Sequence, residues 1–485
     1  MKLVLVQIVL ILLIAGSLAA NQSPIDPSPG GGPFSISLDD PNNPWDAPIP
    51  GFVGPDGIGK ANIDDGVGFV ANPDNYVNPL FFGWADSVAG YSLIDDPDAQ
   101  ALYDFMYDYD PGFVDPANIL GPVTGDVFDI VSLGDTWPSE WPNDSNHPTS
   151  TGPGTITVVF DEPIRDMTGA DFTVFENGFV ANSSTVNGTV AGEISAELVY
   201  VEVSADGVNF VRFPSASLTS PGPFQNGTIG PYATIDSSQV YNLAGKHSNA
   251  YGFSWGTPFD IAQVGLSQVT HIRLVDIPGT GLFSDNATGL TDPATDLPFS
   301  TDHPIYDAWW TWGSGGADIE AIGAISQQMT YLEWPQLQLL TATDRDPGDD
   351  PENDGLTNLE EYAFAMLPWK AQSEVHPCHI AIVEKDGERR AEFTFRRDER
   401  LTDLTYKVWV TDSLLNPEDW ELMASSTGGQ PLVAVEGMNP EISETSDSEI
   451  ASIGVIRRVT VRDTKTVAEA AHRFFKVEIV QQDSS

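Results

Sequence analysis

Cysteine is almost absent from this chain of 485 residues, because Cys378 is the single one. One cysteine excludes an intramolecular disulfide, so burial, hydrogen bonds or ions must hold the fold together. Basic residues are also scarce, with 21 Lys and Arg against 70 Asp and Glu and a formal net charge of −49. Phosphate contacts need Lys and Arg. The composition therefore disfavours nucleic acid and anionic membranes as partners.

Basic residues are distributed unevenly along the chain. Residues 1–340 hold 41 acidic and only 6 basic residues, whereas residues 376–485 hold 20 acidic and 13 basic residues. A surface of this kind suits divalent cations, neutral sugars or basic surfaces. Solubility in salty water is an alternative explanation for the same acidity, and counting residues does not separate the two.

Long apolar runs are missing beyond the first twenty residues. Met1-Lys2 is followed by the apolar run Leu3–Ala15 and then by the small residues of Gly16–Ala20. This pattern is typical of a secretory signal peptide, and the run is short for a membrane span. We therefore expect a secreted, extracellular protein with no membrane insertion. Association with a cell surface fits this expectation.

One acidic segment, Asp350–Glu361, has the spacing of an EF-hand-like calcium loop. Gly355 stands at the sixth position, where the backbone must turn sharply, and Glu361 stands at the twelfth, where two carboxylate oxygens bind the ion. A solvated acidic linker is the alternative, but acidity alone does not explain this glycine and this glutamate. The predicted Ca²⁺ ligands all offer oxygen, and they are Asp350, Glu352, Asp354, Leu356 (through its carbonyl), Asn358 and Glu361.

The remaining pattern predicts an all-β protein. Ile156, Val158 and Phe160 alternate with polar residues, and Val199–Val203 is followed by an Asp206-Gly207 turn and a return strand from Val208. We expect a large jelly-roll or sandwich domain, a calcium-loop connector with one short helix, and a small β-sandwich domain. The predicted segments are a signal peptide at 1–20, a flexible lead at 21–45, the large domain at 46–328, the connector at 329–372 and the small domain at 373–485.

Helices are expected at two places only. Asp98–Tyr109 has the composition of a short helix, and Leu359, Tyr362 and Leu367 after the loop have helical spacing, with Pro368 as the predicted end. His376-Pro-Cys-His379 is too tightly spaced for a usual zinc site. We interpret it as the start of a strand with a buried thiol.

An aromatic segment is the best candidate for ligand binding. Sugars stack their apolar faces on aromatic rings and donate hydroxyl hydrogen bonds to carboxylates. Burial of the same rings in the core or at the sandwich edge is the alternative interpretation. The candidate residues are Tyr306, Asp307, Trp309, Trp310 and Trp312, with Trp255 (and Tyr251) as further members.

No catalytic motif is evident. The chain lacks a Gly-x-Ser-x-Gly elbow, a phosphate-binding glycine loop and a dinucleotide fingerprint. A glycosidase needs two facing carboxylates, and an acid-rich chain offers such pairs by chance. We expect Glu202 to face water because of its strand alternation. The carboxylates available are Glu176, Glu197, Glu202, Asp260 and Asp307.

Three parts of the chain carry a resemblance to bacterial secreted proteins described as cell surface proteins. Asp350–Tyr362 is similar to dockerin-like and thrombospondin type 3-like calcium loops, although a dockerin has two such loops in tandem. Phe393–Trp420 with His472–Phe475 resembles a small carboxy-terminal β domain that follows such loops. Val201–Gly207 also resembles galactose-binding-like jelly rolls. The large β domain is carried by Val131–Gly134, Phe172–Phe179, Val201–Gly207, Asn242–Lys246, Gly256–Asp260 and Gly313–Glu320.

The resemblance implies Ca²⁺ as the bound ion but no reaction. Our interpretation is therefore a secreted, non-catalytic surface or extracellular binding protein that recognises polysaccharide or a cell-envelope glycan, with calcium fixing the angle between its domains. A polysaccharide-active hydrolase or lyase and a structural component of an outer layer or matrix are the alternatives.

Overall fold

The structure is a computed structural model, and it divides the chain into two compact units. One unit spans Asn21–Gln327, and the other includes Gln328–Ser485. The predicted signal peptide and the predicted helix over Asp98–Tyr109 lie outside the described residues. The structure describes residues 33–34, 48–53, 63–64, 69–70, 75–93, 113–126, 128–134, 153–180, 193–223, 227, 229–230, 233–250, 254–308, 316–337, 343–368, 377–446, 455–470 and 472–482.

The fold is all-β, as the alternating pattern predicts. In the first unit the strands are β1 Ile49–Pro50, β2 Phe52–Val53, β3 Ile63–Asp64, β4 Phe69–Val70, β5 Tyr76–Val77, β6 Gly83–Trp84, β7 Ser87–Ser92, β8 Val131–Ser132, β9 Thr155–Arg165, β10 Phe172–Glu176, β11 Phe179–Val180, β12 Glu193–Ser195, β13 Val199–Ser204, β14 Val211–Arg212, β15 Ala216–Ser217, β16 Ile235–Asp236, β17 Val240–Tyr241, β18 Trp255–Phe259, β19 Gln268–Asp276, β20 Thr291–Asp292, β21 Leu297–Pro298 and β22 Asp318–Ala324.

The second unit adds two short helices and eight strands within its described residues. They are α1 Trp334–Leu337, α2 Asn358–Ala363, β23 Cys378–Lys385, β24 Glu388–Asp398, β25 Leu404–Thr411, β26 Glu421–Thr427, β27 Val433–Ala434, β28 Glu441–Ser446, β29 Ile456–Thr466 and β30 Phe474–Gln481. Short 3₁₀ turns lie at Pro116–Ile119, Ser237–Gln239, Ile261–Val264 and Pro417–Asp419. Among the described residues, no helix has the length and apolarity that a membrane crossing requires.

The first unit is a sandwich of two antiparallel sheets. One sheet has the strand order β14–β13–β19–β9–β7, and the other has the order β1–β18–β10–β22–β6 with β8 also paired to β22. Burial of each large apolar side chain contributes roughly 1.5–3 kcal/mol before entropy is counted. Residues of both sheets share one buried cluster, which includes Val158, Leu274, Phe172 and Ile319.

Two central strands of the second sheet are buried on both faces. Every residue of β10 and of β22 is buried. The face of β10 that carries Phe172 joins the shared core, while Phe175 on the other face packs on Phe81 and Trp84. Polar residues on these strands therefore lie inside protein whichever way they point.

The hairpin after β13 differs from its sequence-based prediction. The return strand is β14, Val211–Arg212, and Val208 is 78% exposed in the loop before it. The Asp206 carboxylate accepts hydrogen bonds from the backbone N–H groups of Val208 and Asn209. These bonds hold the two residues in the turn, so the prediction that the return strand starts at Val208 was wrong by three residues.

The second unit contains another sandwich. Its two sheets have the strand orders β23–β24–β29–β28 and β27–β26–β25–β30. Phe393 of β24 stacks on Phe475 of β30, and Phe395 of β24 stacks on Tyr406 of β25, so aromatic contacts join the sheets. Buried and more exposed residues alternate along β24 and β25. Cys378 is buried at the start of β23, as predicted.

Helix α2 is shorter than its sequence predicts. It begins after the N-cap Thr357, whose side chain and that of Glu360 form a capping box. It ends at Ala363, because Ala365 has a positive φ of 53° and Met366 N–H donates to the Glu361 carbonyl. The prediction that the helix continues to Pro368 was wrong, since the left-handed residue ends it first.

Candidate functional site

Three of the predicted calcium ligands converge in the loop before α2. Asp350, Glu352 and Asp354 each offer a carboxylate oxygen, and these oxygens lie within 4.8 Å of one another. At neutral pH such close carboxylates repel, and a cation or protons would relieve the repulsion. The spacing of one, three and five in the sequence brings them together because the intervening residues form a tight turn.

The backbone of the turn depends on two residues with positive φ. Asn353 has φ 59° and Gly355 has φ 97°. The Asp350 carboxylate accepts hydrogen bonds from the N–H groups of Asp354 and Gly355, each at 3.1 Å. A Cβ at Gly355 would meet nothing within 4 Å. Glycine is favoured there by the backbone conformation rather than by crowding.

Glu361 is the most unusual member of the loop. It is completely buried, and among the described residues no hydrogen-bond donor reaches either of its carboxylate oxygens. The same holds for both carboxylate oxygens of the half-buried Glu352. Burial first, and then the neighbouring Glu352 carboxyl, raises the pKa of Glu361 to about 10. Burial also raises the pKa of Glu352. Four oxygens from two acids thus lie together, and no donor from any other described residue reaches them.

Asn358 holds the upstream segment against the loop. Its Nδ2 donates to the carbonyls of Asp344 and Asp346, at 2.9 and 3.1 Å, and its backbone N–H donates to the Asp349 carbonyl at 2.8 Å. The side chain is fully buried, and within the described part of the chain its Oδ1 accepts no hydrogen bond. An amide oxygen without a donor is a further potential ligand for a cation.

Leu356 links the turn to the helix. It is buried, and its N–H donates to Asp354 Oδ1 at 2.9 Å. The loop, the upstream turn and the start of α2 are thus joined by hydrogen bonds. A solvated acidic linker would leave its carboxylates in water, whereas Glu361 and Asn358 have no exposed surface. A solvated linker does not explain the burial of these two side chains, and the bound Ca²⁺ stays a prediction.

Helix α2 packs within its own unit on the small sandwich. The Tyr362 hydroxyl lies 2.9 Å from Asp403 Oδ1 and 3.1 Å from the Met329 carbonyl. The Tyr406 hydroxyl donates to the Ala363 carbonyl at 2.5 Å. Glu361 directly precedes Tyr362 in the chain. Any ion bound by Glu361 would therefore stabilise the attachment of α2 to β25 and its neighbours.

The predicted aromatic site is only partly described. Trp309, Trp310, Trp312 and Tyr251 lie outside the described residues. Tyr306 is half-buried, and a Cβ on Gly281 would lie 2.3 Å from its ring. Trp255 is half-buried at the start of β18, opposite Pro50 of β1.

Asp307 has a structural role in the described part of this site. It is buried, and its Oδ2 accepts a hydrogen bond from the Leu198 N–H at 2.9 Å. A Cβ on Gly279 would lie 1.6 Å from its Oδ1, so the glycine backbone packs directly on the carboxyl. This carboxyl anchors one loop to another rather than facing a ligand in solvent.

Glu202 does not face water, contrary to its strand alternation. It is 7% exposed and forms ion pairs with Arg212 at 2.8 Å and with Arg273 at 2.5 Å. The two arginines extend over the outer face of the sheet and cover it. The Arg212 guanidinium lies over the Tyr200 ring, and the Arg273 guanidinium lies over the Phe210 ring. This pairing makes Glu202 a structural acid.

A second acidic group lies near Asp171. Asp166, Asp171 and Asp260 bring one oxygen each within 4.8 Å of the others. Both oxygens of the buried Asp171 accept backbone N–H groups, from Met167 at 3.0 Å and from Ile261 at 2.7 Å. Asp260 caps the following 3₁₀ turn. The hydrogen bonds explain this group without a ligand.

Sequence reasoning missed a buried polar group on β10 and β22. Its acids are Glu176, Asp318 and Glu320, and Asn249 donates a hydrogen bond to Glu320 Oε2. Burial raises the pKa of Glu176 to about 8, that of Asp318 to about 7, and that of Glu320 above its usual value. Acids inside the apolar runs of two strands are the sequence signal that could have revealed it.

Comparison with known proteins adds no relative. No protein-family model matches the chain, and no curated protein matches it. The arguments about function therefore depend on the residues themselves.

Proposed function

We propose that this protein is a secreted, non-catalytic binding protein whose second unit is stabilised by one Ca²⁺ in the loop Asp350–Glu361. One observation supports the ion site more than any other. Glu352 and Glu361 place four carboxylate oxygens together with no donor among the described residues. Burial of an ionised carboxylate without a partner costs several kcal/mol. A divalent cation bound by these oxygens would offset that cost.

Calcium fits the chemistry of these ligands. The ligand atoms are oxygens of carboxylates and of one amide, which hard cations prefer. The loop spacing is that of a calcium loop. Asp350, Glu352 and Asp354 supply one side of the site, and Glu361 supplies the other from α2. Loops of this type in extracellular proteins bind calcium with dissociation constants of roughly 10⁻⁴–10⁻³ M. The predicted export of the chain would expose the site to calcium in that range.

Calcium binding would stabilise the second unit. The ion would join the turn to the first residues of α2, and α2 is held on the small sandwich by Tyr362 and Tyr406. At about 10 mM calcium the expected stabilisation is roughly 1.4–2.7 kcal/mol for these affinities. For a unit of this size that corresponds to a rise in melting temperature of roughly 3–10 °C.

Thermal unfolding of the full chain tests the ion site. We compare chelator with 10 mM calcium for the wild type and for Glu361→Gln, which keeps the side-chain shape and removes the charge. The wild type should gain stability with calcium, and the variant should lose most of that gain. Asp386→Asn is the matched control, because Asp386 is exposed, lies in the β23–β24 turn and has a positive φ that Asn tolerates. Equal melting with and without calcium in the wild type would refute the site.

The proposed ligand is a polysaccharide or cell-envelope glycan, bound by the aromatic segment. Support comes from the sequence, where three tryptophans follow the half-buried Tyr306 within six residues. Polysaccharide pull-down and glycan arrays should show binding that Trp309→Ala and Trp310→Ala weaken at least tenfold. Trp420→Ala in the second unit is the control, since Lys476 covers its ring. Equal binding by all variants would contradict this assignment, and calcium-dependent self-assembly without glycan binding would favour a structural role.

A further inference from the structure

Phe34 belongs to the segment 21–45, for which the sequence predicts a flexible lead, yet this residue is enclosed by the large sandwich. It is 3% exposed, and its N–H donates to the Ser238 carbonyl at 2.9 Å. Its ring stacks on the ring of Tyr241, with the centroids 5.4 Å apart and the planes 19° from parallel. One aromatic contact and one backbone hydrogen bond thus join two residues that lie far apart in the chain.

The residues around Phe34 form a small apolar cluster of their own. Within the described residues, this cluster is separate from the buried cluster that the two sheets share. Ala216 and Ala287 in it are 0% exposed, and because an alanine side chain ends at Cβ, these two positions leave room for the ring. We call the residues that enclose the ring the Phe34 pocket, and they are Ala216, Leu218, Tyr241, Ala287, Leu290 and Phe299.

Two parts of the large sandwich form the Phe34 pocket. One is the ribbon of β15 and β17, and the other is the hairpin of β20 and β21. The Asp285 carboxylate joins β15 to the chain that leads into this hairpin, because its Oδ2 accepts from the Ser217 N–H at 2.7 Å. Leu290 and Phe299 flank the hairpin, and the Phe299 N–H donates to the Leu290 carbonyl at 2.8 Å. None of these contacts includes Phe34, so the pocket is framed without it.

Removal of the Phe34 side chain would uncover an apolar patch on the large sandwich. Leu218, Tyr241, Leu290 and Phe299 are only half-buried even with the ring in place. Contiguous apolar surface of this kind favours a partner that covers it, and an aromatic ring buries more apolar area than most side chains. The patch therefore fits an aromatic side chain, and Phe34 is the one that covers it.

We infer that the Phe34 pocket is a peptide-binding site for an aromatic side chain and its backbone N–H, and that its occupant is the N-terminal segment of the same chain. From Gly30 to Ser35 the sequence offers one large apolar side chain, which is Phe34. Recognition in this stretch thus depends on a single anchor, and the same short sequence supplied as a separate peptide should bind to a pocket that lacks its own anchor. This inference does not depend on the ion site or on glycan binding.

Ligand-detected NMR with the full chain and a synthetic peptide of residues 30–40 tests the site. The peptide should bind the Phe34→Ala chain, with saturation transfer to the ring protons of its phenylalanine. The wild-type chain should bind the peptide at least about tenfold more weakly, because its own Phe34 fills the pocket. A peptide with alanine in place of the phenylalanine is the control and should show no transfer.

Thermal unfolding of the same chains gives the second measurement. Phe34→Ala should lower the melting temperature by roughly 3–10 °C, and the added peptide should restore part of that loss. Phe128→Ala is the matched control, because Phe128 is 48% exposed and its removal should change the melting temperature much less. If Phe34→Ala fails to fold, Phe34→Leu replaces it, since leucine keeps apolar contact but loses the ring stack, and this chain should still bind the peptide more tightly than the wild type does.

Two results would overturn the inference. One is a folded Phe34→Ala chain that does not bind the peptide, or that binds it no better than the wild type does. The other is a wild-type oligomer in size-exclusion chromatography that Phe34→Ala converts to a monomer, because the anchor would then occupy the pocket of a second copy rather than that of its own chain.

Discussion

Buried carboxylates in the small sandwich face arginines, whereas those in the large sandwich face backbone N–H groups. In the small sandwich, Arg400 pairs with Asp398 at 2.5 Å, and their side chains are 2% and 3% exposed. In the large sandwich, both oxygens of Asp171 accept backbone N–H groups instead. Residues 1–340 contain only 6 Lys and Arg, so this part of the chain has few cations to place beside its acids.

Each unit also contains an exception to its own rule. Glu202 in the large sandwich receives two of the rare arginines, Arg212 and Arg273. Glu361 in the second unit receives neither an arginine nor any donor among the described residues. The comparison singles out Glu361 as a buried acid without arginine or N–H partners among the described residues, and the proposed ion site depends on this feature.

The largest effect should come from removing a buried arginine. Arg400→Met leaves Asp398 enclosed without its partner, and we expect a loss of about 3–5 kcal/mol in unfolding free energy. Urea unfolding measures it. The double variant with Asp398→Asn should recover a large part of the loss, and a single-variant loss below about 1 kcal/mol would break the comparison.

An intermediate effect should come from an N–H-bonded acid of the large sandwich. Asp171→Asn keeps one acceptor but turns an amide N–H toward a backbone N–H, which should cost about 1–3 kcal/mol. Asp166→Asn is exposed and should change stability by less than about 0.5 kcal/mol. Equal stability of the two variants would show that the N–H bonds to Asp171 contribute little.

The pair of arginines on Glu202 should give a somewhat smaller effect. Glu202→Gln weakens two charge-assisted contacts whose arginine side chains are about one-third exposed, at 37% and 36%. Solvent screens such contacts, so we expect a loss of about 1–2 kcal/mol. Denaturant unfolding at low and high salt measures it, and a loss that does not shrink in salt would argue against an electrostatic origin.

The smallest effect should come from an exposed pair of the small sandwich. Lys465→Met removes a 2.7 Å contact with Asp412, but Arg473 remains 2.9 Å from the same carboxylate. We expect a change below about 1 kcal/mol. A larger loss in denaturant unfolding would mean that surface pairs matter as much as enclosed ones in this protein.

Local patterns of the sequence predicted much of the fold. Alternation in Ile156–Phe160 predicted β9, because strand periodicity is set by neighbouring residues alone. Predictions that depended on more distant partners were weaker. Side-chain bonds from Asp206 shifted the start of β14, a left-handed Ala365 ended α2 early, and two arginines from other strands covered Glu202.

The sequence by itself determined the all-β fold and the convergence of Asp350, Glu352 and Asp354, because both follow from spacing within a few residues. Only the tertiary structure decided which acids are enclosed. Glu361 is buried because α2 packs on the small sandwich, and Asp318 is buried because β22 is covered on both faces. Burial depends on elements far apart in the chain, and it is burial without a donor that turns an ordinary carboxylate into a candidate ligand.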